Sequence, residues 1–253
     1  MAMISRPPVP MRLPVRKPYT PEKPKGAKAM TIAVGFLCGD GKDLILAADR
    51  QITAQGAYQT RRKKYSTNSQ GFVEMAFLYS GEPGTFHSFT QKVEESLNAK
   101  PEVSPEVVQE TIEETLNTMK LNDPFLEPRF WLLAGVSEFW GPPKLIAFDG
   151  KYVFTAKDGV QIIGRGDTSL INYLGDRLYS PDLSPEQGIA LAAYLIKKAT
   201  QYVDGCGEPI DVLHGNGCDF RVVDKDKVSA GIDLIETQEE FLSTLLIQTP
   251  FSI

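Results

Sequence analysis

Three side chains that could do covalent chemistry together lie on one short stretch, Thr31 to Lys64. Thr31 opens the apolar run Ile-Ala-Val-Gly-Phe-Leu, Asp49 closes a second apolar run, and Lys64 ends the cationic run Arg61-Arg62-Lys63-Lys64. A threonine hydroxyl is a weak nucleophile and needs a base. The base always within reach is the residue's own α-amine, whose pKa of about 7.7–8.0 leaves part of it neutral near pH 7. That chemistry requires Thr31 to be the first residue, because with Met30 attached its nitrogen is an amide. An ionised carboxylate at the end of a buried strand needs a partner. An ammonium beside Thr31 would favour its deprotonated oxygen. Plainer roles fit the same residues: Thr31 as a β-branched strand residue, and Asp49 in an ordinary ion pair with Lys63 or Lys64.

The elements that would position these groups are legible from apolar runs and turn residues. Thr31–Leu37 and Leu44–Ala48 read as strands joined by a turn at Gly39-Asp40-Gly41, whose residues tolerate positive φ. Ala57–Tyr65 reads as a polar extended segment, and Phe72–Tyr79 as a strand stopped by Ser80-Gly81-Glu82-Pro83-Gly84. His87–Leu97 has apolar residues three to four apart, which predicts a helix. Ser104-Pro105 caps a second helix running to Met119. Strands are expected at Arg129–Val136, Lys144–Phe148, Lys151–Thr155 and Val160–Ile163. A helix follows over Thr168–Leu178. Ser184, Pro185 and Gln187 form a capping-box pattern opening a long helix to about Tyr202. Strands at Pro209–Leu213 and Asp219–Val223 and a helix from about Gln238 to Ile247 complete the reading. Blocks of strands alternating with pairs of helices point to an α+β fold, with two sheets face to face and helices on both outer sides.

Composition narrows the function classes. The 253-residue chain, 42% apolar, can bury a substantial core in one large domain. A net charge of −5 argues against a general nucleic-acid binder, and no apolar run reaches the ~18–20 residues that span a bilayer. Cys38, Cys206 and Cys218 lack CxxC spacing and read as reduced thiols of a cytoplasmic protein. His87 and His214 are too isolated for a metal cluster, so no metal or cofactor is expected. Residues 1–30 differ from the rest, with seven prolines, seven Lys or Arg and one acid. This leader cannot build a core. It reads as a propeptide, a disordered tail or sequence upstream of the true start, with residues 31–253 as the working domain.

The stretch TIAVGFLCGDGKDLILAADRQITAQG, followed by RRKKY and YSGEPGT, resembles the opening of catalytic proteasome β-type subunits and of the bacterial heat-shock peptidase ring, as a divergent bacterial-type member. VQIIGRGDTSLINYLGDRL and LSPEQGIALAAYLIKKAT extend the resemblance to about residue 223. It implies the four-layer αββα sandwich of N-terminal nucleophile hydrolases. It also implies a threonine-type endopeptidase acting on peptides or unfolded protein inside a homo-oligomeric ring, and leaves room for an ATPase partner. A catalytically silent structural subunit of the same fold is the alternative. By the family pattern Thr31 is the nucleophile, Asp49 and Lys64 its ion pair, and Gly81 the oxyanion donor. Tyr79, Ile52 and Arg62 fall near positions lining the specificity pocket. The chain departs from the pattern at Arg165, where the family has serine between two glycines. By the resemblance, Asp204, with a one-residue shift, and Cys206 stand where an Asp and a Ser complete the family's secondary network.

Overall fold

The computed structural model describes residues 31–53, 59–122, 130–139, 141–164, 167–217 and 219–248, with the backbone alone at 52, 53, 59, 60 and 242–248. The founding unit is an antiparallel hairpin of β1 (Ile32–Cys38) and β2 (Asp43–Asp49), in register from Ala33 opposite Ala48 to Cys38 opposite Asp43. Its Gly39-Asp40-Gly41 turn is tied down by backbone bonds from Gly39 N to Leu183 O and from Asp40 N to Pro181 O. A short ribbon of β3 (Gln51–Thr53) and β4 (Gln59–Arg61) follows.

A second, five-stranded sheet runs in chain order: β5 (Tyr65–Gln70), β6 (Val73–Gly81), β7 (Phe130–Glu138), β8 (Lys144–Phe148) and β9 (Val153–Ala156). Strand β10 (Gln161–Gly164) then returns to the first sheet beside β1, and β11 (Ile210–Gly215) and β12 (Phe220–Val222) extend it beyond β2. Helices α1 (Pro83–Asn98) and α2 (Pro105–Asn122) cover the second sheet. Helices α3 (Ser169–Leu178), α4 (Pro185–Tyr202) and α5 (Lys225–Gln248) cover the first. The result is a four-layer αββα sandwich, the α+β architecture expected from the sequence. No helix among the described residues is long and apolar enough to cross a membrane.

Strand alternation sorts the side chains into separate cores. Along β1, Ile32, Val34, Phe36 and Cys38 face the α4 layer, while Ala33 faces the opposite sheet. Along β6, Val73, Met75, Phe77 and Tyr79 face α1 and α2, while Ala76 and Leu78 face between the sheets. The inter-sheet layer interleaves leucines with small residues. A Cβ on Gly35 would stand 2.8 Å from Leu46 Cδ2, and one on Gly135 would stand 2.6 Å from Leu44 Cδ2. Each fully buried leucine contributes about 1.5–3 kcal/mol, and these leucines fit only because their facing partners are small.

Besides the short strand β3, which the sequence reading lacks, two longer elements differ from it. The strand Tyr65–Gln70 is polar throughout and is an edge strand paired only with β6, so it carries no apolar run to betray it. The last helix begins at Lys225, well before Gln238, because Val228, Ile232 and Ile235 pack on the core under α4. Gly231 lies at that crossing, where an added Cβ would meet Ala190 Cα at 2.9 Å. The helix is readable only once its neighbour is known, since glycine within Ser229-Ala230-Gly231 lowers its intrinsic propensity. Replacing Gly231 with leucine is expected to push α5 off α4 and cost about 1–3 kcal/mol. A urea unfolding midpoint equal to that of the unaltered protein would show that the crossing is not tight.

Candidate functional site

The site forms where the end of β2, the residue before β1 and the link between β4 and β5 meet. Thr31 precedes the first paired residue of β1 and is 6% exposed. Lys64 is 1% exposed and Asp49 is fully buried. Lys64 Nζ donates to Thr31 Oγ1 at 2.9 Å and to Asp49 Oδ1 at 2.8 Å. Between Lys63 and Lys64 the geometry is decided: Lys63 is exposed and lies over the Tyr65 ring at 5.4 Å.

The carboxylate is satisfied from several directions. Oδ1 also accepts from the Ile32 N–H at 3.4 Å, and Oδ2 accepts from the N–H groups of Gln51 and Gly207, each at 3.1 Å. Burial pushes the Asp49 carboxyl up, and the Lys64 ammonium together with the Gly207 and Gln51 N–H groups pulls it back. Burial lowers Lys64, with Asp49 opposing the shift. Because Nζ donates to Oγ1, the hydroxyl's own proton is free to point elsewhere.

Thr31 is gripped at a second atom. Its carbonyl accepts from Ser80 Oγ at 2.7 Å, and Ser80 is fully buried at the end of β6. Gly81 follows at once and closes the strand with φ 119°, a conformation that only glycine takes without strain. Behind Thr31, Gly164 at φ 152° pairs with Ile32, and a Cβ there would stand 2.3 Å from the Thr31 carbonyl oxygen. The second glycine-rich corner, Gly205-Cys206-Gly207, wraps the Asp49 end, and a Cβ on Gly207 would collide with Gln51 Oε1.

Cys206 is buried in this cluster. Burial pushes its thiol up to about 12, with Asp49 adding to the rise and Lys64 and the Ile32 N–H opposing it. Asp204 is half-buried, and no hydrogen bond or ion pair joins it to Thr31, Asp49 or Lys64. Tyr79 faces away from the nucleophile, stacked on Phe86 with ring centroids 4.1 Å apart, and its hydroxyl is pushed up to about 12 by burial. Arg62 is exposed and its N–H donates to Arg50 O at 3.0 Å. The side chain of Ile52 and all of Arg165 lie outside the described residues. Ser80 and Gly207 escaped the sequence reading. The alternation along β6 places 76, 78 and 80 on one face, which is the signal that could have found Ser80. Arg50, next to the carboxylate, is occupied by a two-pronged pair with Asp211. Among the described residues no cluster of three or more His, Cys, Asp and Glu could hold a metal ion.

No family model and no curated sequence matches this chain. Solved structures do. A Gly-1 mutant of Anbu from Hyphomicrobium sp. strain MC1 superposes with a TM-score of 0.70 at 16% identity, covering 88% of this chain and 100% of its own. Anbu from Yersinia bercovieri, described as an ancestral β-subunit, gives 0.66 at 16% identity over 88% and 99%. A helical assembly of the Anbu complex from Pseudomonas aeruginosa gives 0.62 at 17% identity over 89% and 98%. These neighbours carry a proteasome-related, N-terminal nucleophile hydrolase fold, and at such identity the likeness is one of fold alone. They correct the assignment suggested by the opening motifs. The chain is not placed among the catalytic proteasome β-type subunits or the heat-shock peptidase ring; its structural neighbours are Anbu chains.

Lys64 is the only countercharge bonded to Asp49 among the described residues. Lys64→Met is therefore expected to cost about 3–5 kcal/mol by leaving a buried carboxylate without its cation, read as a lowered urea midpoint. A loss under ~1 kcal/mol would mean the pair is solvated in practice. Cys38, like Cys206, is pushed up to about 12 by burial. Both are expected to resist iodoacetamide at pH 8 in the folded protein and to react fully in urea, as peptide mass spectrometry would report. Rapid labelling of either in the native state would contradict the burial.

Proposed function

We propose that this chain is a threonine-type N-terminal nucleophile hydrolase that cleaves peptide bonds within a homo-oligomer, once removal of residues 1–30 exposes the Thr31 amine. The observation that carries the reading is the contact of Lys64 Nζ with Thr31 Oγ1 at 2.9 Å, with the same nitrogen held by a buried carboxylate. An ordinary ion pair has no need to bury a lysine against a hydroxyl at the head of a strand.

In this reading the neutral α-amine takes the Oγ1 proton as Oγ1 attacks the substrate carbonyl carbon. The Lys64 ammonium stabilises the developing negative charge on Oγ1. The Gly81 N–H is assigned to the oxyanion of the tetrahedral intermediate. When the C–N bond breaks, the α-amine passes its proton to the leaving nitrogen, and the acyl group stays on Oγ1 as an ester. Water then attacks the ester carbonyl, giving a proton to the same amine. Oγ1 leaves, recovers a proton, and the acyl product departs as a carboxylic acid. Asp49 never reacts; it fixes and charges Lys64.

The homo-oligomer is supported by analogy with the Anbu complex from Pseudomonas aeruginosa, whose assembly is helical. Head-to-tail contacts between copies close into a ring or open into a helix according to the rotation per subunit.

The test uses protein whose intact mass starts at Thr31 and a panel of short fluorogenic peptides. Thr31→Ala is expected to abolish cleavage, while Thr31→Ser keeps it, because a serine retains both amine and hydroxyl. Cleavage by Thr31→Ala at the unaltered rate would overturn the reading. A protein that starts at Thr31, assembles and cleaves none of the panel would assign the fold to a non-catalytic subunit.

A further inference from the structure

Beyond the ion pair, the structure assigns Ser80 a positioning role: its hydroxyl, from the opposite sheet, holds the carbonyl of Thr31 and so fixes the nucleophile's backbone against the oxyanion donor next door. This inference rests on the reading of Thr31 as a terminal nucleophile.

A terminal residue lacks the peptide bond that anchors every other residue on its amino side. The paired residues of β1 start at Ile32, opposite Gly164 on one side, and at Ala33, opposite Ala48, on the other. Thr31 is therefore outside the ladder. If its nitrogen serves as a base it cannot also be a peptide anchor, and chain ends without anchors fray. The carbonyl is the one backbone group left to hold it. Among the described residues the side chain that donates to it is Ser80, whose Oγ lies at 2.7 Å. Both ends of this bond are buried.

The origin of the grip matters as much as its presence. Thr31 belongs to the first sheet and Ser80 to the second. Lys64, which holds Oγ1, also precedes a strand of the second sheet, and the Lys64 carbonyl accepts from the Tyr79 N–H at 3.2 Å. The two groups that hold Thr31 thus hang from one backbone unit, Lys64 beside Tyr79-Ser80-Gly81. Gly81 is the residue after Ser80, so the hold on the nucleophile and the candidate oxyanion donor are separated by one peptide. Removing the Ser80 hydroxyl leaves Lys64, Asp49 and the apolar layers untouched. It removes one hold on the peptide of Thr31, behind which Gly164 is packed. A nucleophile displaced by about 1 Å loses on the order of 10²-fold in rate.

The experiment compares Ser80→Ala, Ser80→Thr and Ser80→Cys with the unaltered protein, all beginning at Thr31, on one fluorogenic peptide. Ser80→Ala is expected to lower kcat by about 10- to 100-fold, with KM within about threefold and an unfolding midpoint close to the original. Ser80→Thr, which restores the hydroxyl, is expected to recover most of kcat if the fold accepts its methyl, and the smaller Ser80→Cys only part of it. A Ser80→Ala variant with unchanged kcat overturns the inference while leaving the hydrolase reading intact, provided Thr31→Ala is inactive in the same assay. A Ser80→Ala variant that loses stability and KM but not kcat overturns it in favour of a packing role. If the unaltered protein does not cleave, the hydrolase reading and this inference fall together.

Discussion

Everything at the site depends on a buried cation finding its anion. Lys64 and Asp49 are both withdrawn from water, an arrangement that costs several kcal/mol per ion before any attraction is counted. It persists because the carboxylate is overdetermined. Its two oxygens collect Lys64 Nζ and the N–H groups of Ile32, Gln51 and Gly207. Those donors come from β1, β3, the corner before β11 and the link into β5. The chain must bring four distant segments to one point, and the hairpin, ribbon and glycine corner are the means. A pair of this kind is weak evidence for stability, since an apolar replacement of similar size is often no worse. Its placement beside a hydroxyl is what supports the proposed hydrolase reading.

Most of the architecture was legible because it is written in short-range rules. Alternating small and large residues along the long helix, its Ser184–Gln187 capping box, now seen with both bonds made, and the apolar runs of β1 and β2 each fix local structure without help. What escaped was set by tertiary context. The polar strand Tyr65–Gln70 exists because β6 offers it an edge. The first half of α5 exists because Gly231 lets it approach Ala190. The family pattern puts Tyr79 near positions lining the specificity pocket, while the parity of β6 turns its ring toward Phe86 and gives the inward position to Ser80. The pattern offers Asp204 as a network carboxylate, whereas the donors to Asp49 Oδ2 are the backbone N–H groups of Gly207 and Gln51, a kind of donor that side-chain identity cannot reveal.

The motif-level family assignment failed for a related reason. An apolar strand, a glycine turn, a second apolar strand ending on an acid and a following lysine are what this hairpin needs in order to fold and bury its ion pair. Such a pattern marks the fold more surely than any one branch of it. The structural neighbours share the fold at 16–17% identity. A resemblance carried by such a pattern therefore reports a physical problem and its solution.

The spacing of the two sheets is then a chemical variable as well as a packing one. Thr31 rides on the first sheet, while its holds at Oγ1 and at the carbonyl come from Lys64 and Ser80 on the second. The distance between the sheets is set by the inter-sheet layer, where Ala33, Ala48, Ala76 and Ala147 face leucines and Gly35 and Gly135 leave no room for a Cβ. Interiors are packed densely enough that one added methylene is felt. A small residue enlarged in this layer would wedge the sheets apart and draw both holds away from Thr31 together. Close packing far from the hydroxyl and hydrogen bonding at it are in this sense one constraint, and the small residues of the inter-sheet layer belong to the site as much as the ion pair does.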